Sequence, residues 1–339
     1  MRKVLYFALS LAACQKTPSL EPAVALEVPA DQHPAVAAQP NLDAMTDAGG
    51  PISDADIARA PTDGPLVEVT DPGQAPLQLL RLTPTLGDLS QVRFDVDFTV
   101  NMTMDGVEMP APKIPTMGIL MSMEITGLEE GQIAYETEIT AIEIGEDDPM
   151  FPGMGAEMEA SMAAMIGLRG VGAMTDTGHM LSMEFIPPEG ATADQEAQID
   201  NLERTFGHLS APLPEEPVGV GATWITLSRT EQDMVSLVQR STTRLTALDG
   251  EQLSTATSLI RVWDGDEIDA SDLPPGSQIE VLRFSGTGEG TSTLALDTLA
   301  PLQSEIFTVV DLTLKMSTGA LPSSEMSQKI TETSRIARE

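Results

Sequence analysis

The sequence predicts an α+β domain built as one large curved antiparallel sheet with two helices packed on it. Three observations carry that expectation. Apolar and polar residues alternate over several long runs, which is the period of a sheet with one buried face. Turn signals such as Asp105-Gly106 and Asp249-Gly250 join neighbouring runs. Helical spacing is confined to two segments set among strands, which argues against a repeating βαβ order.

Residues 1–13 read as a signal peptide. Arg2 and Lys3 give a positive start, and Val4 to Leu11 give an apolar stretch. That stretch is too short for a permanent membrane helix, which needs about 20 residues. Leu11-Ala12-Ala13-Cys14 then closes the segment with the chain's single cysteine. These four residues resemble the lipobox of bacterial lipoproteins. The resemblance implies that Cys14 is lipidated and becomes the first residue of the mature protein. It further implies a membrane partner reached through the N-terminal lipid. Gln15 stands where that family's inner-membrane retention signal has aspartate, so the resemblance favours the outer membrane, with the domain periplasmic or surface-exposed.

Residues 14–64 then read as a disordered tether. They are rich in Pro, Ala and Asp, hold no persistent period, and scatter Leu42, Met45 and Ile57 too widely for a core.

The folded domain is expected over 65–316. Arg93 to Val100 alternates, with Phe94, Val96, Phe98 and Val100 on one face and Met102 and Met104 continuing it. Met117–Ile125 and Ile133–Ile144 alternate likewise. A helix is expected from Gly155 to Ile166, where Met154, Met158, Met162 and Met165 recur at helical spacing. Strands follow near Leu168–Met174 and His179–Phe185. The best helical pattern runs from Ala193 to Leu209, with Ile199, Leu202, Phe206 and Leu209 on one stripe.

A stiff Pro212–Gly221 connector leads to Ala222-Thr223-Trp224 and strands near Ile225–Ser228, Met234–Ala247 and Gln252–Trp263. Further strands are expected at Ile279–Thr287, Gly290–Leu296 and Gln303–Met316. The run Gly286-Thr287-Gly288-Glu289-Gly290 is read as a hairpin turn, and 317–339 as a polar, fraying tail. A sheet wrapped over helices resembles the half-barrel, lipid-binding lipoproteins. The connector and Gly221-Ala222-Thr223-Trp224 resemble an uncharacterised family of envelope lipoproteins. The former implies an apolar small-molecule ligand but transfers no ligand residue.

Charge and motif exclude several activities. With 52 acidic and 18 basic side chains the net charge is −34, which repels nucleic acid. No nucleophile elbow, zinc-protease, phosphate-loop or dinucleotide fingerprint occurs, so the protein is expected to be no enzyme and to need no cofactor. His179, with Asp176 near it, and His208 lack a paired nucleophile.

Two metal readings stand beside this. Asp264, Asp266, Asp269 and Asp272 crowd one loop as a loose calcium candidate, although the spacing fails the 12-residue calcium-loop pattern. Fourteen of the 19 methionines fall between Met102 and Met183. Their thioethers suit Cu(I), with Met102, Met104, Met121 and Met123 as candidates, or they simply line a core or an adaptable apolar surface. Function therefore divides three ways: a lipid-anchored, non-enzymatic binder of an apolar ligand; a structural or interaction module with an unidentified protein partner; or a Met-based copper lipoprotein.

Overall fold

The computed structural model describes residues 51–62, 64–111, 113–149, 151–207, 212–232, 235–265, 277–318 and 323–339. Helix α1 (Asp54–Arg59) comes first, then strands β1 (Leu66–Asp71), β2 (Leu89–Met104), β3 (Val107–Met109), β4 (Met117–Glu129) and β5 (Gln132–Ile144). Helix α2 (Met154–Met162) runs into a 3₁₀ turn at Ala163–Met165. Then come β6 (Arg169–Thr175), β7 (Met180–Phe185) and α3 (Ala193–Gly207). The rest is strand: β8 (Thr223–Gln232), β9 (Val235–Asp249), β10 (Gln252–Trp263), β11 (Ser277–Ala295), β12 (Gln303–Thr318) and β13 (Ser324–Arg338).

All thirteen strands share one antiparallel sheet in the order β1-β8-β9-β10-β11-β12-β13-β2-β4-β5-β6-β7, with β3 hung on the far end of β2. The sheet is open, with β1 and β7 at its edges. Its order follows sequence hairpin by hairpin except where β1 pairs β8 and β13 pairs β2.

The alternation read from Arg93 to Met104 sets the two faces. Phe94, Val96, Phe98, Val100, Met102 and Met104 point inward, and their partners Ile336, Ser334, Glu332, Ile330, Gln328 and Met326 continue that face on β13. One inner cluster gathers Ile125, Ile133, Tyr135, Trp224, Leu245 and Leu253 around Leu80 and Leu82. A second joins Phe94, Val96, Ile119, Met121 and Ile139 to Met165, Phe185 and Ile199. The helices α2 and α3 pack at β5 and β7, so they cover one end of the inner face.

Three expectations are corrected. The residues 54–59 fall inside the expected tether yet form α1. Ser53 and Asp56 close a reciprocal capping box on it, and Ile52, Ile57 and Ala60 pack on Leu227 and Val238 of the outer face. The structure therefore has three α-helices where two were expected.

The stretch 286–290 is no turn. It is the middle of β11, paired residue for residue with β12. A Cβ at Gly288 would stand 2.7 Å from the Phe307 carbonyl oxygen, and one at Gly290 2.5 Å from that of Glu305. Only glycine leaves the space that these carbonyls occupy.

Finally, 324–338 does not fray. It is β13, hydrogen-bonded to β12 on one side and β2 on the other.

The connector is held as its prolines suggest. Arg81 Nη1 donates to the carbonyls of Leu80 and Pro214, and Nη2 to that of Glu215. Trp224 Nε1 donates to the Pro212 carbonyl at 3.3 Å.

Candidate functional site

Burial along the inner face of β2 changes abruptly. Val92, Phe94 and Val96 are 5%, 3% and 3% exposed, whereas Phe98, Val100, Met102 and Met104 are only half-buried. The change falls where β4 stops, since β4 pairs β2 over Leu89–Val96 alone. Beyond that point the inner face runs on over β10–β13 away from both helices. Its half-buried apolar residues are Val100 and Met102, Val310 and Leu312, beside the buried Ile330. Contiguous apolar surface left without cover is a candidate binding site.

One register row crosses this region: Gln239 of β9, Arg261 of β10, Gly286 of β11, Val310 of β12, Ile330 of β13 and Val100 of β2. Arg261 lies across Gly286, where an added Cβ would meet its Cβ at 3.0 Å and its Cδ at 3.5 Å. Its Nε donates to Gln239 Oε1 at 2.6 Å. Burial pushes the guanidinium down from its ordinary value, and the charge of Glu332 partly restores it. Glu332 is occupied by the Ser334 hydroxyl, which donates to Oε1 at 2.6 Å. Two residues along β10 on the same face, the Trp263 Nε1 is buried with no hydrogen-bond partner among the described residues.

Of the four aspartates proposed for calcium, Asp264 alone lies among the described residues. Asp264 has a buried side chain that accepts from Arg229 and from the Ser236 hydroxyl, so its carboxylate is spent on an internal ion pair. Asp266, Asp269 and Asp272 lie outside the described residues, as do Cys14 and His208. Among the described residues no group of three or more His, Cys, Asp or Glu could hold a metal ion. Asp176 pairs with Arg81 at 3.6 Å, so it is already engaged by a cation.

The methionine candidates are split by register. Met121 faces Val92, ten residues along β2 from Met102, a separation of roughly 33 Å. Met121 and Met123 pack into the two inner clusters instead. Met102 and Met104 find other neighbours, with Met102 opposite Met109 and Met104 opposite Met326. The Gln328 amide donates to Met326 Sδ at 3.7 Å. An open cavity of about 390 Å³ also lies at this end. Register places its Asn101, Asp311, Ser327 and Lys329 on the outer face.

Arg261, Gln239 and Glu332 went unread in the sequence. The signal was present: Leu253, Leu259, Arg261 and Trp263 share one phase of a period-2 run, so a cation at Arg261 falls on the inner face.

No family model and no curated protein matches the chain. Among solved structures, OccK11 (OpdR) of Pseudomonas aeruginosa overlaps 78% of this chain and 100% of its own at 7% identity and a TM-score of 0.15. The CymD monoaromatic hydrocarbon channel overlaps 75% of this chain and 88% of its own at 7% identity and 0.14. Scores so low bear on neither fold nor function. Among the described residues no helix is long and apolar enough to cross a membrane.

Proposed function

We propose that this is a lipid-anchored protein of the cell envelope, held at the outer membrane through Cys14, that binds an apolar ligand without catalysing a reaction. The observation that carries the binding reading is the loss of cover along β2, from a 3% exposed Val96 to the half-buried Phe98, Val100, Met102 and Met104. Flexible thioethers and branched aliphatic side chains adapt to hydrocarbon of varied shape. The anchor rests on the Leu11-Ala12-Ala13-Cys14 sequence. Several acyl chains hold a protein far more firmly than one.

Native mass spectrometry of the full chain, purified from a bacterial envelope, tests the binding. The expected result is extra mass that matches a lipid or fatty acid and is lost on denaturation. A bare polypeptide that also fails to take up added lipid would overturn it and favour an interaction module instead. A second reading draws on one observation: Met109 and Met326 join Met102 and Met104 at one end of β2. Copper-sized mass increments abolished by Met102→Leu and Met104→Leu would support a soft-metal site.

A further inference from the structure

Resting on the binding reading above, we propose that the ligand is a fatty-acyl anion whose head is received by Arg261 and Trp263. Its hydrocarbon lies over the half-buried Val310, Val100 and Met102.

Several arginines of the sheet are matched with carboxylates: Arg229 with Asp264, Arg240 with Asp56 at 3.6 Å, and Arg335 with Asp97 at 2.7 Å and Glu305 at 2.9 Å. Arg261 feels the charge of Glu332 without closing an ion pair with it among the described residues. Arg261 stands on the inner face, in a row that otherwise offers Gly286, Val310, Ile330 and Val100. Its only hydrogen bond among the described residues leaves from Nε to Gln239, so both Nη groups are free to donate. A guanidinium pinned at Nε presents its two terminal nitrogens in a fixed plane, the geometry that suits a carboxylate.

A second donor points the same way. Among the described residues Trp263 Nε1 is buried and unpartnered on the same face, and an orphaned buried donor costs free energy until an acceptor reaches it. The two residues are two apart on one strand, so their side chains are neighbours on that face. Both lack acceptors, and neither lacks a donor. That asymmetry selects an anionic or strongly accepting head over an ammonium or a hydroxyl donor. The charge of Glu332 favours the charged guanidinium, while a Glu332 oxygen is engaged by Ser334.

From Val100 to Met104 the inner face of β2 continues for about 13 Å, with the half-buried Leu312 on the same face of β12.

The test compares dodecanoate with 1-dodecanol, which share a chain and differ in the head. Binding to the full-length protein is followed by calorimetry and by tryptophan fluorescence. Wild type is expected to bind dodecanoate at least about tenfold tighter than dodecanol, the size of one charge-assisted hydrogen-bonded pair. Arg261→Leu should erase that preference while dodecanol binding is kept, and Trp263→Phe should reduce it severalfold. Glu332→Gln should tighten dodecanoate. Equal affinity of wild type for the two probes overturns the head-group assignment, whether or not the variants fold, and leaves the apolar site standing. Failure of both probes to bind wild type overturns the binding reading itself. An acid preference that survives in a folded Arg261→Leu would assign the head to another group.

Discussion

The ring of Tyr135 on β5 fills the space above Gly172 on β6, so closely that a Cβ on the glycine would stand 2.3 Å from Tyr135 Cζ. The two residues are register partners. With the ring laid flat, the phenol reaches Met180 Sδ at 3.0 Å, and burial pushes its pKa up to about 12. Gly170 plays the same part for Phe185, whose Cδ1 would be 2.9 Å from an added Cβ.

Gly172→Ala is therefore expected to destabilise the protein by about 1–3 kcal/mol through overpacking. Urea unfolding of the single variant and of Gly172→Ala with Tyr135→Leu measures it. The two changes should be strongly non-additive, because the leucine removes the ring that the new methyl strikes. Simple additivity would mean that the ring moves aside at no cost.

The strand β13 makes a second prediction. It is the seam between β12 and β2, and without it the sheet falls into two pieces joined by no ladder. Ending the chain after Thr318 should abolish cooperative unfolding and solubility. Replacing the exposed Lys329 and Arg338 with Ser should change the unfolding midpoint little. A truncated protein that still melts in one sharp transition would contradict the seam.

Much of this was legible in the chain, because period-2 alternation states both that a strand exists and which side of it is buried. The runs Arg93–Val100 and Gln252–Trp263 appear in the structure as parts of β2 and all of β10. The two helices at 154–162 and 193–207 also follow their 3.6-residue spacing. The misses share a cause, which is that pairing partners lie far off in sequence. Gly286, Gly288 and Gly290 look like a turn to any local reading. They sit mid-strand because β10 and β12 close over them. Ser324–Arg338 looks like a polar tail because its apolar positions, Met326, Ile330 and Ile336, are diluted by Gln328, Glu332 and Ser334 on the same face. The candidate site hides for the same reason. Its row of Gln239, Arg261, Val310, Ile330 and Val100 is assembled from five strands, and no spacing within any one of them announces it.

Asp264 gives a third prediction. Its buried carboxylate holds Arg229 and Ser236, and Arg229 in turn donates through Nη2 to the Ile57 carbonyl at 2.9 Å, which ties α1 to the sheet. Asp264→Ala strands the guanidinium and should cost about 3 kcal/mol, with protease sensitivity appearing first near α1. Added calcium should leave the melting temperature of wild type unchanged, since Asp264 Oδ2 is already engaged by Arg229 and Ser236. A calcium-dependent rise would restore the metal reading of that loop.

His179 sets the last expectation, a dependence of stability on pH. Its Nδ1 is buried without a hydrogen-bond partner, and its imidazole lies against Gly64, where an added Cβ would be 2.6 Å from Nε2. Desolvation lowers its pKa below the ordinary 6.5. The folded protein therefore holds the ring neutral in a range where the unfolded chain already binds a proton. Where the unfolded state binds more protons, stability rises with pH. So the contribution of His179 is fully present above 6.5 and is lost as pH falls from there through the folded value. Below that both states are protonated and the loss levels off. Carboxylates titrate as well in acid, and with 52 of them the raw curve is not diagnostic. The difference between wild type and His179→Leu isolates the one ring. It should be flat above pH 7, should move in favour of the leucine protein as pH drops through the window below 6.5, and should flatten again in stronger acid. Urea midpoints at half-unit steps from pH 8 to 4.5 would show it, and a difference that is constant over the whole range would mean that the imidazole is solvated in the folded state.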